Sequence, residues 1–299
     1  MVPTNELSNR TRGIENQMED LSLFCANGAT AQDRMVKIAD GVTLRVITFL
    51  PPVNSGNPAV LFVAGWITQL SAWKTVLREM TKDFIVIYVE TREKISSQMN
   101  PDAEYSIPAL GDDIVRLVDK LNLRENRYVL FGSSLGATVI IECFHALARK
   151  PCALVLIGPN AVFRVPRTWM VIVTLFYPPM YALVKPFAKW YLKIFRLDVK
   201  TDAGQYTKYC AAIDAADARK LKKAILALAK YKIWERLETI NRPALLVDAS
   251  KDLLHEPENL RKIAVMLPTV TRIDLETNQG THSEKVVEEF RRFLTQICP

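Results

Sequence analysis

Apolar residues follow two rhythms along the chain, and the alternation between them predicts its architecture. Two alternating runs, Met35 to Ala39 and Val42 to Leu50, flank Asp40-Gly41, the pattern of a β-hairpin around a two-residue turn. After a loop over 51–58, the run Ala59 to Ala64 is continuously apolar, like a strand buried on both faces of a parallel sheet, and it ends at Gly65-Trp66. The same texture recurs at Phe84 to Val89, Tyr128 to Phe131, Ala153 to Ile157, Pro243 to Asp248 and Thr271 to Leu275. Helical patterns occupy the intervals, at Ser71 to Thr81, Ile107 to Leu121, Leu135 to Leu147 and Glu284 to Ile297, and a polar loop is expected from Glu90 to about Tyr105. Strands alternating with helices predict an α/β fold, a mostly parallel sheet covered on both faces and joined by right-handed crossovers.

Two stretches break this rhythm. Residues 1–34 have weak periodicity and several turn formers, and read as an N-terminal arm without assigned chemistry. Residues 160–241 are too long for an ordinary strand–helix connection and read as a helical cap, inserted between two parts of one core, 35–159 and 242–299. The first part of the cap, Thr168 to Phe195, is strongly apolar and aromatic. Pro178-Pro179, Lys185, Pro186, Lys189 and Lys193 interrupt it before about 20 apolar residues accumulate, which excludes a membrane span. In the second part Leu221, Ile225 and Leu228 share a helix face, with Lys220, Lys222, Lys223 and Lys230 around the others.

Composition narrows the class. Over 299 residues, 49% apolar content is enough to fill a sizeable core and excludes a largely disordered chain. Cysteines 25, 143, 152, 210 and 298 are odd in number and have no close pair, so they read as reduced core residues and not as a disulfide frame or metal site. The polar N-terminal stretch carries no apolar core of signal-peptide type, which predicts a cytoplasmic protein and makes the sequon Asn9-Arg10-Thr11 a coincidence. The net charge of +7 is concentrated in the cap, where residues 164–236 hold fifteen basic and five acidic side chains. A basic, aromatic and apolar cap suits a long acyl substrate or peripheral contact with an anionic membrane; the plainer reading makes its lysines the solvated side of a helix. No nucleic-acid motif accompanies the charge, so nucleic acid is not an expected partner.

The chemistry centres on Gly132-Ser133-Ser134-Leu135-Gly136, between an apolar strand and a helical run. This spacing puts Ser134 on a tight strand-to-helix elbow, with glycines where backbone packs too closely for a side chain. The helix begins here, so the backbone N–H of Leu135 can meet an oxyanion formed beside the serine oxygen, and the turn after the strand at 59–64 supplies a second donor, the N–H of Trp66. Three histidines compete as the base. His145 lies eleven residues into the elbow helix, about 16 Å along it, and reads as a packing residue. His255 follows the strand at 243–248. His282, on the loop between the last strand and the final helix, is placed to reach the nucleophile. The orienting acid is expected between serine and histidine at a strand end, where Asp252 is the candidate and Asp248 its rival as a structural group.

With the order Ser134, Asp252, His282, the elbow at 132–136, the Gly65-Trp66 turn and the helical insertion, the chain resembles the capped α/β-hydrolases over residues 35–297. The resemblance implies a mostly parallel eight-stranded sheet, a mobile cap forming the acyl pocket, and no cofactor. Two motifs depart from it: many members have His-Gly where this chain has Ala64-Gly65, and an Asp-x-Arg-Gly-x-Gly run where it reads Glu90-Thr91-Arg92-Glu93-Lys94-Ile95-Ser96-Ser97. The expected activity is that of a serine hydrolase cleaving carboxylic esters with an apolar acyl chain, a small-molecule ester or a lipid-like substrate, through an acyl-enzyme. Thioesters, lactones or a C–C bond could be cleaved by the same three residues, and a non-catalytic binding protein or a peripheral membrane protein are the alternatives from other classes.

Overall fold

The computed structural model describes residues 19–163, 167–197, 199, 202–229, 231–252 and 257–297. Most of the expected arm (1–18), His255 and Cys298 therefore lie outside the described residues. The core elements are β1 (Thr30–Ala39), β2 (Val42–Leu50), β3 (Ala59–Val63), α1 (Lys74–Met80), β4 (Val86–Glu90), β5 (Gln98–Met99), α2 (Ile107–Lys120), β6 (Tyr128–Ser133), α3 (Leu135–Cys143) and β7 (Ala153–Ile157). The insertion expected to form a cap follows as α4 (Arg167–Leu175), α5 (Tyr181–Tyr191), α6 (Ala203–Ala215), α7 (Ala218–Leu228) and α8 (Trp234–Leu237). The core then resumes with β8 (Ala244–Asp248), α9 (Pro257–Met266), β9 (Val270–Asp274), α10 (Asn278–Thr281) and α11 (Glu284–Ile297).

The strands form one sheet in the order β1-β2-β4-β3-β6-β7-β8-β9. β1 and β2 run antiparallel at one edge, and the strands from β4 through β9 run parallel. That path has the expected eight strands; a ninth, β5, adds two residues beside Val42 and Thr43. β6, β7 and β8 are buried along their whole length, which is why they read as unbroken apolar runs. One face is covered by α2, α3 and α9, the other by α1 and α11. α11 buries Val286, Val287, Phe290, Phe293 and Leu294, each such side chain contributing about 1.5–3 kcal/mol when fully removed from water.

Several elements differ from expectation for identifiable reasons. β1 begins at Thr30, ahead of the run at Met35, because an edge strand with mostly exposed positions leaves little alternation to read. The helix expected over 71–81 divides into a 3₁₀ turn, Leu70–Trp73, and α1. α3 ends at Cys143; His145 sits in the 3₁₀ turn Phe144–Ala146, exposed, its Nδ1 2.8 Å from the Glu142 carbonyl, and is not a helix-packing residue. Glu90–Lys94 and Ser97 are buried, although a polar loop was expected there. Arg92 satisfies its charge with Nη2 on Asp113 Oδ1 at 2.8 Å and Nη1 on the Glu104 carbonyl at 2.8 Å.

The cap lysines are largely anchors. Lys222 Nζ donates to the carbonyls of Thr174 (2.8 Å) and Phe176 (2.9 Å), binding α7 to the end of α4. Lys220 donates to the Lys94 carbonyl at 2.6 Å and to that of Ser97, and Lys223 to that of Pro101, so α7 is tied to the core through main-chain oxygens. On the far side of the cap, Tyr231 Oη (2.6 Å) and Arg236 Nε (3.0 Å) both donate to the buried carboxylate of Glu142 in α3. Among the described residues no helix is long and apolar enough to cross a membrane.

Candidate active site

β6 ends in an elbow whose geometry the glycines dictate. Ser134 has φ +51°, a region that a non-glycine residue occupies at a cost of about 1–3 kcal/mol. The turn is held because the Ser134 amide donates to the Ile157 carbonyl at 2.7 Å, across from the neighbouring strand end, and its own carbonyl accepts from Thr138 at 3.1 Å. A Cβ on Gly136 would lie 1.9 Å from the Val63 carbonyl oxygen, and one on Gly132 2.7 Å from the Ala137 amide, so no side chain fits at either position. Ser134 Oγ accepts a hydrogen bond from Asn160 Nδ2 at 2.9 Å, and Asn160 is fixed by its amide on Thr138 Oγ1 (2.9 Å).

The turn after β3 packs against this serine: a Cβ on Gly65 would stand 3.5 Å from that of Ser134. Ile67 in the same turn has φ +47°, a true outlier for a β-branched residue. Its fixed shape comes from buried Lys94, whose Nζ donates to the carbonyls of Gly65 (2.5 Å) and Thr68 (2.8 Å). Burial pulls the Lys94 pKa down, against the opposing pull of Glu93 and Glu90. The turn at Ala64-Gly65, the first motif that departs from the resemblance, is thus clamped by an ammonium from the second.

His282 and Asp252 gather around Asn278, the first residue of α10. His282 Nδ1 lies 2.9 Å from the Asn278 carbonyl and 3.0 Å from Thr281 Oγ1, and its ring stacks on Trp73 at 4.0 Å between centroids. Asp252 is buried and accepts from Asn278 Nδ2 at 3.4 Å and from Gln205 Nε2 at 3.2 Å. α10 can turn so tightly only because residue 280 is glycine, where a Cβ would lie 2.2 Å from the Leu275 carbonyl oxygen. Asp248 is occupied otherwise, with Oδ1 on the Ala249 amide at 2.7 Å and Oδ2 on Arg272 Nη2 at 2.6 Å. The elbow, the Gly65 turn and the loops carrying Asp252 and His282 all leave the carboxyl ends of strands, where open α/β sheets bind ligands.

α6 brings a cation into this group. Lys208 Nζ stands 3.2 Å from His282 Nε2 and also donates to Asn278 Oδ1. An ammonium can only donate, so Nε2 is the acceptor and Nδ1 carries the ring proton towards the Asn278 carbonyl. Burial brings the Lys208 pKa down to about 8, partly resisted by Asp202 and Asp252.

Comparison with known proteins separates sequence from fold. The chain matches no protein-family model, and no curated protein matches it. Solved structures do. A hydrolase from Pseudomonas aeruginosa PA01 superposes with a TM-score of 0.71 at 19% identity, covering 89% of this chain and 98% of that one. A thermophilic esterase from Thermogutta terrifontis gives 0.71 at 21% identity (90% and 100%), and the enol-lactonase from Burkholderia xenovorans LB400 gives 0.71 at 18% (88% and 100%). The chain has the α/β-hydrolase fold. In that fold Ser134 occupies the elbow, and the structure brings Asp252 and His282 together through Asn278. Asn160, Gln205, Lys208, Asn278 and Lys94 were not legible in the sequence. Nothing in local pattern distinguishes Lys208 from the other cap lysines, and Lys94 hid in a segment that reads as a solvated loop.

Proposed function

We propose that this α/β-hydrolase-fold protein is a serine hydrolase that cleaves carboxylic esters with an apolar acyl chain. Ser134 is the nucleophile, His282 Nε2 takes its proton and returns it to the leaving alcohol, and Asp252 steadies the imidazolium. The backbone N–H groups of Leu135 and Trp66 receive the oxyanion, each worth about 3 kcal/mol of transition-state stabilisation. Water then attacks the acyl-enzyme, the carboxylic acid leaves, and Ser134 regains its proton. The observation that carries this reading is the strained φ of +51° at Ser134, a backbone state costly to keep at a mere connection. The neighbours support hydrolysis in general, since one is an esterase and another an enol-lactonase, so lactones are the nearest alternative substrates.

A fluorophosphonate probe tests the proposal without knowledge of the substrate. Covalent labelling of the native chain that vanishes in Ser134→Ala establishes an activated serine; esters of graded acyl length then test the apolar acyl preference. Failure of the folded native chain to label at any pH from 6 to about 9 rejects it. That result would favour a non-catalytic ligand-binding protein, a reading whose specific support is the Lys208 ammonium directed at the nitrogen that would act as base.

A further inference from the structure

The cap exposes apolar side chains on the side away from the core. α6 and α7 form its inner layer, touching the core through Gln205, Lys208, Lys220 and Lys223. α4 packs on α7 and α5 on α6, so these two make the outer layer. On α5 the large apolar side chains that face solvent are Leu183, Phe187 and Trp190, continued by Ile194 in the π-helical turn Leu192–Arg196. Their spacing of four, three and four places them on one face, the face a soluble helix normally gives to charge. On α4, Ile172 and Leu175 are likewise turned outwards, and the exposures of these six range from 48% to 79%.

Scattered apolar residues on a surface need no explanation, but four large ones on a single face of α5 and its continuation, with two more on α4, do. Charge identifies what covers them. Between Arg167 and Arg196 there are five basic residues and no acidic one. Lys193 is exposed beside this face, while Lys189 is paired with Asp214 at 2.7 Å on the flank of α5. An apolar face on helices that carry basic residues and no carboxylate of their own, with the Asp214 carboxylate of α6 already paired to Lys189, fits the interface of a bilayer, with rings and aliphatic chains at the acyl boundary and Lys193 among anionic headgroups.

We propose that α4, α5 and the turn that follows dock the protein on the surface of a bilayer containing anionic phospholipid, lying in the interfacial plane. This inference does not depend on the catalytic reading.

Sedimentation of the full chain with phosphatidylcholine vesicles, with and without about one third phosphatidylglycerol, tests it. Binding is expected to the anionic vesicles and to weaken at high salt as the charges are screened. The double substitution Leu183→Gln, Trp190→Gln, at exposed positions, is expected to lower the apparent affinity about tenfold and to leave the circular dichroism spectrum and fluorophosphonate labelling unchanged. Three results overturn the proposal: no binding by the native chain, equal binding to vesicles with and without anionic lipid, or equal binding by the double variant. Light scattering that finds a native dimer, converted by the same substitutions to a monomer, would overturn it too, by assigning this apolar face to a second copy of the chain.

Discussion

Lys208 Nζ and His282 Nε2 are 3.2 Å apart, with the lysine donating, so the imidazole lone pair that the proposed mechanism uses to accept a proton from Ser134 is engaged by a cation from α6. The contact joins α6 to the loop after β9 across 74 residues of sequence. The proposed mechanism therefore requires the ammonium to withdraw or to lose its proton.

The Lys208 pKa of about 8 sets the expected pH dependence. At pH 7 only about one molecule in ten has the neutral amine. The rate of ester cleavage by the native chain should rise through a limb near pH 8, whereas Lys208→Met should show a limb near the ordinary histidine value of about 6.5 and a rate about tenfold higher at pH 7. Stability offers an independent reading. Because the folded pKa lies below the unfolded one, the unfolded chain binds more protons between about 8 and 10.5, and native stability gains from this group as pH rises through that window. Thermal melting of Lys208→Met should lack that gain. Superimposable pH–rate profiles for the two proteins would show that the contact does not restrain the base.

What could be read in the sequence follows from how local each feature is. The strands β3, β4, β6, β7 and β8 and the Ser134 elbow are legible because burial on both faces and a glycine-bounded turn leave their marks within a few residues. β1 left only part of its length legible, since an edge strand meets water. The polar segment 90–97 looked solvated because composition cannot show that Lys94 and Arg92 find carbonyls and a carboxylate brought from other elements. Gln205, Lys208 and Asn160 acquire their significance only through contacts with Asp252, His282 and Ser134, which lie far away in sequence. Six lysines and arginines between 208 and 230 are locally much alike, and only the tertiary approach of α6 selects one of them.

Gly136 should be among the least replaceable residues of the chain. A Cβ there would overlap the Val63 carbonyl, which cannot retreat because β3 is paired on both sides by β4 and β6. Gly136→Ala is expected to cost more than about 3 kcal/mol, read as a lowered urea midpoint, and to abolish probe labelling of whatever remains folded. Gly204→Ala is the matched comparison, since its nearest neighbour would be Asp202 Oδ1 at 3.4 Å. That site lies in the first turn of α6, where alanine favours helix, so stability should change by less than about 1 kcal/mol. Equal losses in the two variants would remove the steric account of the elbow.

Lys94 offers the sharpest test of the turn that carries Trp66. Its ammonium holds two carbonyls on either side of Ile67, and Lys220 of the cap in turn donates to the Lys94 carbonyl, so one residue connects the cap to the proposed oxyanion donor. Lys94→Met keeps the length and volume of the side chain and removes only the donors. Leaving the two carbonyls unpaired should cost about 1–3 kcal/mol each, seen as a lower melting temperature. If the turn also loses its shape, the Trp66 N–H no longer meets the developing charge, and kcat should fall about a hundredfold with KM within about twofold. Lys220→Gln removes only the tie from cap to core and should leave kcat nearly intact. A Lys94→Met protein that melts earlier but turns over a soluble ester at the native rate would restrict Lys94 to a structural role and leave the second oxyanion donor to be sought elsewhere.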